Sequence, residues 1–561
     1  MKNLFVLIVF AAFPYLLAAQ TAKNYVSSKY DRNSLTFIGL DYNENLSEPV
    51  IKVLAKQTAP DKYYDNSIPE NIIKTGVKRD SMLGFPVPAT EQQLVRWLND
   101  HKVGQQILSV WFNRQPDGSF NVDKLKERGL FNANDNDLLV ASASKRGESS
   151  LMDMGMELVN RSYVLVFDYY GIMSMAQSYQ KQETPQDKRI MNGFQSELQT
   201  FLLKLDFSDS VAANFFQKYW TSTDDPQRDA KVAAFEKAEF PFQFMKRQYT
   251  SATATQYNPG QVLAPKVQKT DEEMIDQMVK MSIESILTTV ENQKQEFRVK
   301  AMVSDVRPIR AKIGKKEGLK FDQRYFVMEN QTNSKGEITS KRVAVIKSMK
   351  VVDNRKVTSG QTEPSAFYQI AGGKVDNMGM FLQQKNDVGM NLYLGTTSGG
   401  LPGFEGRLEY YISKAFSGAK GGKFATAWKI YVGGGYDQKN DYTVGALTDD
   451  FTFTRVSFGL SKDLYPLHFL HWGPFVGYGL ETISAASIED SDISSDFIEA
   501  GVRVGINLAH NIQLIGSATY YSLISSEEVN SSTNEKAEFE YKTYFDDRMG
   551  LGYNFGIRIM F

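Results

Sequence analysis

Ser142-Ala-Ser-Lys145 places a serine and a lysine one helical turn apart, the S-x-x-K spacing in which a lysine helps activate a serine nucleophile. Lys74-Thr-Gly76 offers the K-T-G element of that chemistry, but it precedes the serine where it should follow, and no suitable S-D-N triplet lies between. A solvated helix end is the reading that fits, since four-residue patterns recur by chance. Of the four histidines, His101 stands alone on a helix. His468 and His471 are three apart in an expected turn beside Trp472, without the acids or cysteines of a zinc site, and read as interface residues. Glu489-Asp-Ser-Asp-Ile-Ser-Ser-Asp496 gathers carboxylates that could hold calcium. It lacks the central glycine and distal glutamate of an EF-hand loop and reads as a hydrated acidic loop. No catalytic, cofactor-binding or metal-binding residue is assigned, no cofactor is expected, and the chain reads as a non-enzyme.

The elements that remain point to a membrane. Met1-Lys-Asn3 is a short basic start, Leu4 to Leu17 is apolar apart from Pro14, and Ala18-Ala19-Gln20 supplies small residues for cleavage. Residues 1–19 therefore read as a secretory signal peptide. There is no cysteine, and 64 basic against 65 acidic side chains leave a net charge of −1, which excludes the basic stripe of a nucleic-acid binder. No run after the leader is long and apolar enough for a membrane helix, so a membrane-spanning chain must be a closed barrel.

The C-terminal segment has that pattern. From Arg548 to Phe561 one face reads Met549, Leu551, Tyr553, Phe555, Ile557, Ile559, Phe561, and the other Arg548, Gly550, Gly552, Asn554, Gly556, Arg558, Met560. A period of two is a strand, and apolar-aromatic against glycine-and-charge suits a wall between lipid and a polar lumen. Seven more alternating segments precede it, with outward sets such as Val388-Met390-Leu392-Leu394, Ile430-Val432-Tyr436 and Ile512-Leu514-Ala518-Tyr520. The spacing predicts an eight-stranded antiparallel transmembrane barrel over 385–561. Outer loops are expected near 395–403, 437–450, 482–496 and 524–547, and inner turns near 414–423, 461–471 and 509–511. Tyr553, Phe555, Ile557, Ile559 and Phe561 form the terminal pattern that the barrel-assembly machinery would read.

The inward faces carry Glu405, Arg407, Glu409, Lys429, Arg455, Glu481, Glu499, Arg503, Arg548 and Arg558. Eight strands leave an interior only wide enough for side chains to fill. An ion-paired plug is expected, with an open lumen taking up a small ligand as the alternative.

Upstream, 20–250 reads as a mixed α/β region, 251–269 as a Thr/Ala/Gln/Pro-rich linker, and 270–384 as a helix followed by a small β domain. Thr90-Glu-Gln-Gln93 and Thr270-Asp-Glu-Glu273 are capping boxes. Ser162 to Phe167 reads as a strand buried on both sides, and helices are expected between 190 and 246. The short strands within 297–384, with a turn at Ile313 to Gly318 and a hairpin at Asn333 to Gly336, suggest a small closed barrel.

Gly155-Met-Glu-Leu-Val-Asn-Arg-Ser-Tyr-Val-Leu-Val-Phe167 resembles the α/β domain of curli secretion protein G and the middle domain of flagellar assembly protein T. Ile313 to Leu382 resembles the small β domain that ends flagellar assembly protein T. The leader's end and the stretch from Trp111 to Gly129 resemble exported proteins of the Bacteroidota. These resemblances imply a periplasmic module beside the outer membrane that binds other envelope proteins. The expected function is an outer-membrane anchor for such a module, in envelope assembly or secretion, with outer-membrane lipid and periplasmic proteins as partners.

Overall fold

The computed structural model describes residues 32–561 except 45, 80, 83–84, 133–154, 186–188, 333–337, 358–361, 376–378, 416–425, 445–446, 489–490 and 531–535. The leader, Ser142 and Lys145, the helix expected from Asp137 and the hairpin tip at 333–336 fall outside the described residues.

The first unit is a sheet covered on both faces. Strands β1 (Ser34–Asp41), β2 (Tyr64–Asp65) and β3 (Ile72–Lys74) are parallel, and β1 also runs parallel to β6 (Ser162–Ser174). A two-strand ribbon, β4 (Ser81–Met82) and β5 (Phe85–Pro86), lies between them in sequence. β7 (Met191–Leu205) and β8 (Phe242–Tyr257) extend the sheet antiparallel, giving the order β2-β1-β6-β7-β8. On one face Leu35, Phe37, Leu165 and Phe167 pack with α1 (Ser47–Leu54) and the apolar stripe of the 23-residue helix Asp271–Gln293. On the other, Ile38, Val164, Val166 and Phe201 pack with helices α2 (Glu91–Asp100) and α3 (Val103–Trp111). Gly39 permits the close approach of α1, because a Cβ there would sit 2.8 Å from Ile72 and Leu54 side-chain carbons.

Both capping boxes form, at Thr90 and Thr270. Two expectations are corrected. The 190–246 stretch does hold two helices, Asp209–Lys218 and Arg228–Glu236, but it opens with strand β7 and ends in the start of β8 instead of being helical throughout. Burial of β7 on both sides from Leu198 to Leu203 removes the alternation that marks a strand. The 251–269 linker is also displaced: residues to Tyr257 continue β8, and the helix after it packs back onto the sheet. The first unit therefore runs through Gln293.

The second unit is a closed six-stranded barrel of order β10-β13-β12-β11-β14-β9. Its strands are β9 (Lys300–Val306), β10 (Ile309–Ala311), β11 (Arg324–Thr332), β12 (Ile338–Lys350), β13 (Ser365–Gly372) and β14 (Phe381–Gln384). The turn before β11 is held by Glu317, whose carboxylate accepts from the Gly314 N–H at 2.8 Å and from Asn354 Nδ2 at 2.7 Å.

The third unit closes eight strands into a ring: β15 (Met390–Gly399), β16 (Gly403–Tyr411), β17 (Trp428–Val444), β18 (Leu447–Lys462), β19 (Leu470–Ser484), β20 (Ser491–Asn507), β21 (Ile512–Asn530) and β23 (Gly550–Met560). β23 pairs with both β15 and β21, and the short β22 (Lys536–Glu538) lies on β21. Outward side chains are apolar, among them Leu408, Ile430, Val432, Val456, Phe458, Val476, Val502, Tyr553 and Phe555. Ile512 differs: register with Ile559 puts it on the outer face, yet it is buried.

The ring is also taller than expected. Segments at 437–444, 447–450, 482–484, 491–495 and 524–530, expected as loops, are strand at the end far from the small barrel. An aromatic core stabilises this crown: Phe451, Phe453, Ile483, Ile493, Tyr541 and Phe545.

Candidate functional site: a sealed lumen and its two ends

Alternation in the strands brings nine of the ten charged residues read from the sequence inside one barrel, and Arg548, expected on the last strand, enters from the segment just before β23 begins at Gly550. Each is 6% exposed or less, so each charge needs a partner. Near the small barrel, Glu409 accepts from Lys429 Nζ at 2.8 Å, Arg558 Nη2 at 3.2 Å, Asn391 at 3.1 Å and Arg503. Midway, Glu405 pairs with Arg407 and lies 3.8 Å from Arg455, while Arg407 also reaches Glu499 at 3.0 Å. Tyr431 donates to Glu499 at 2.7 Å, and Arg455 donates to the Leu401 carbonyl at 2.7 Å. Toward the far end, Glu481 binds Arg548 Nη2 at 2.6 Å and the Tyr541 hydroxyl at 2.6 Å.

Two acids outside the sequence-derived set complete the balance. Asp463 binds Lys429 at 2.5 Å and Arg558 at 2.9 Å, and Asp437 binds Arg548 at 2.8 Å. Six acids now match six bases. Both lie at the edge of the alternating cores, in stretches read as turn or loop. Their signal was the excess of two bases among the ten residues. His471 is a further correction: β19 starts at Leu470, so alternation turns Trp472 out and His471 in. There its Nε2 lies 3.1 Å from Arg558.

The two ends are closed differently. At the far end the 541–548 segment folds inward, with Phe545 against Phe451 and Phe453 and the Arg548 guanidinium 3.6 Å over the Phe453 ring. At the near end the small barrel docks. Asp322, in a left-handed conformation (φ 54), accepts from Tyr368 and Ser413 at 2.6 Å each and from the Ala427 N–H at 3.1 Å. Asp387, between the two barrels, is shared by Lys414 at 2.6 Å, Lys347 at 3.0 Å and Arg324 at 3.3 Å. Burial works to raise the Asp387 carboxyl, but these three cations outweigh it and hold it well below the usual carboxylate range. Burial pushes Lys347 down to about 8 against the pull of Asp387. Val345, Ile370 and Ala371 of the small barrel pack on Met560.

A second polar cluster lies in the first unit, at the C-terminal edge of β1 and β6. Arg79 binds Asp168 at 2.6 and 2.9 Å and Glu44 at 2.6 Å, with its guanidinium 3.9 Å over Tyr42. The chain runs from β1 to opposite sides of that strand, so this edge is a switch point of the kind where α/β sheets bind ligands. Here Arg79 itself fills the crevice.

An apolar exterior around a paired polar interior is the arrangement of a bilayer-spanning barrel of the outer-membrane type. No protein-family model matches the chain, and no curated protein matches it. Among solved structures it is similar to Ail of Yersinia pestis in a phospholipid nanodisc, at 12% identity and TM-score 0.19 over 31% of this chain and 98% of that one. It is also similar to a major outer membrane protein of Thermus thermophilus, at 17% identity and TM-score 0.20 over 31% and 99%. Neisserial surface protein A follows at 14% identity and TM-score 0.18 over 31% and 94%. The strand pairing itself defines the architecture, an eight-strand ring closed by β20 on β21.

Proposed function

We propose that this chain is a non-enzymatic outer-membrane protein whose barrel is a sealed anchor for a periplasmic interaction module, serving envelope assembly or secretion. The observation that carries this reading is the pairing of every lumen charge, which supports an anchor over a conduit. The near-end docking adds to it: the small barrel sits on the end of the ring that would face the periplasm, where both ends of the barrel segment lie. Residues 32–384 then hang from the barrel as the part that meets envelope proteins, and the terminal Tyr553, Phe555, Ile557, Ile559 and Phe561 face lipid where the assembly machinery reads them.

Two measurements test it. Purified protein in planar bilayers is expected to be electrically silent, and discrete single-channel steps would establish an open lumen instead. Lys341→Cys in the small barrel and Thr443→Cys in the crown, made separately in this cysteine-free chain, are then treated with an impermeant maleimide on intact cells. Labelling at 443 alone supports a periplasmic module. Labelling at 341 puts the module outside and overturns the envelope-assembly role.

A further inference from the structure

The near rim of the large barrel carries two cations that the ion-pair networks do not use. On the small barrel, the Arg342 guanidinium lies 4.2 Å over the Phe326 ring. Phe326 packs against the cluster containing Met560, so Arg342 stands beside the last residues of the barrel. Lys385 follows β14. Its N–H donates to the Arg324 carbonyl at 3.1 Å, and Arg324 Nη2 in turn reaches the Phe561 carbonyl at 3.3 Å. Neither Arg342 nor Lys385 has an ion pair or a side-chain hydrogen bond among the described residues.

The two cations are neighbours on one face: Phe326, under Arg342, pairs in register with Gln383, two residues before Lys385. Burial first, then Arg298, Arg324 and Arg342, lower the Lys385 ammonium pKa against a weaker pull from Asp387, which Arg324, Lys347 and Lys414 already share. On the other side, burial and then Arg342 push His510, in the turn between β20 and β21, down to about 4. Arg342 thus faces the barrel's own turn, and cations surround Lys385. An anion from outside the chain would relieve the mutual repulsion of these cations.

Its height on the barrel identifies the anion. Phe561 points outward and is half exposed, and its N–H donates to the Met390 carbonyl. Tyr410, opposite Met390, and Trp472 and Leu508 further round are also on the outer face at this end. Aromatic and aliphatic side chains end here, and cations begin immediately beyond. In a bilayer that level is the headgroup layer.

The geometry points to a phosphate site at this rim, where Arg342 and Lys385 hold the headgroup phosphate of an anionic lipid in the leaflet facing the small barrel. The planar guanidinium suits two phosphate oxygens and the ammonium a third. The inference goes beyond the anchor reading but rests on the barrel lying in a bilayer.

The test uses full-length protein in nanodiscs of phosphatidylcholine with a minor share of phosphatidylglycerol, with retained lipid counted by native mass spectrometry. Wild type should retain phosphatidylglycerol preferentially. R342Q/K385Q should lose about 25-fold of that preference, from roughly fivefold per surface cation, and R342K/K385R should keep it. If the double variant does not fold, R342Q and K385Q singly carry the same comparison. Undiminished preference in the charge-removed variants overturns the site. Displacement of the lipid by inorganic phosphate overturns the lipid assignment in favour of free phosphate. Wild-type protein that does not insert at all overturns the membrane reading as well, whereas insertion without preference overturns this inference alone.

Discussion

Glu291, in the last turn of the helix that closes the first unit, accepts a hydrogen bond from Gln384 Nε2 at 2.9 Å, three residues before Asp387 gathers its cations. The same carboxylate accepts from Asn386 Nδ2 at 2.8 Å, from the Tyr63 hydroxyl at 3.0 Å and from Lys62. A polar path thus runs from Lys62 and Tyr63 in the α/β unit through Glu291 to residues 384–387, and on through Asp387 to Lys414 of the large barrel. The segment between the two barrels is a bolted joint that fixes the orientation of the first two units on the large barrel.

Removing that shared acceptor should loosen the module without unfolding the barrel. Glu291→Ala is expected to cost about 3–5 kcal/mol, the range for breaking a buried charged network. Limited proteolysis should then cut near 384–389 faster, while the large barrel keeps its heat-modifiable migration on gels. Simultaneous loss of both would mean that the units fold as one and that the joint has no separate identity.

Asp387 gives the joint a pH dependence of definite sign. Its folded pKa is depressed, so the unfolded chain binds the proton more readily and stability rises with pH across the titration. The contribution is complete above the unfolded carboxylate value of about 3.9 and disappears as pH falls through the lower folded value. Acidification should therefore loosen the small barrel from the large one, as read by hydrogen exchange at 384–389 and 411–415. Asp387→Asn should weaken the joint at neutral pH and remove this residue's share of the acid limb. An unchanged limb in that variant would assign acid sensitivity to other carboxylates.

Much of this architecture was legible where one physical rule dominates. The barrel strands face lipid on one side and a polar lumen on the other, so period two survives in the sequence and the ten charged residues could be placed inside. Legibility failed where that contrast disappears. β7 is buried on both faces at Phe201 to Leu203 and shows no alternation. β8 carries Thr, Ala and Gln from Thr250 to Gln256, a composition shared with linkers, and becomes strand by pairing with β7. The crown at 437–444 is polar outside because it stands beyond the lipid, so it resembled a loop until strand pairing and the Phe451–Phe545 packing defined it. Asp463 and the joint through Glu291 depend on partners more than thirty residues away, which local spacing does not reveal.

Within the lumen, Glu409 is the residue whose loss should matter most, since Lys429, Arg503 and Arg558 all bind it. Glu409→Gln keeps the shape but leaves Lys429 and Arg558 with Asp463 as their remaining carboxylate and Arg503 with no ion pair among the described residues. A cost of about 3–5 kcal/mol follows, read as a lower midpoint in urea unfolding from lipid vesicles. The excess positive charge should also admit anions, so the variant should show a small anion-selective leak where wild type is silent. Normal stability with no leak would show that the network is not what seals the barrel.

The far end should open separately. Phe545 is buried against Phe451 and Phe453 and stacks on Tyr442 with ring centroids 6.3 Å apart. Phe545→Ala is expected to cost about 3–5 kcal/mol, the range for losing a packed aromatic ring, and that loss falls on the crown because strands β17 to β21 continue into the lipid-facing wall below it. Hydrogen exchange at 541–548 should quicken, since Tyr541 and Arg548 are held by Glu481 only while the segment lies across the mouth. Exchange at 428–434 and 554–559 should stay slow, because those residues sit among the Glu409 and Asp463 pairs at the other end. If both sets quicken together, crown and wall unfold as one unit, and the aromatic cluster stabilises the whole barrel rather than its lid.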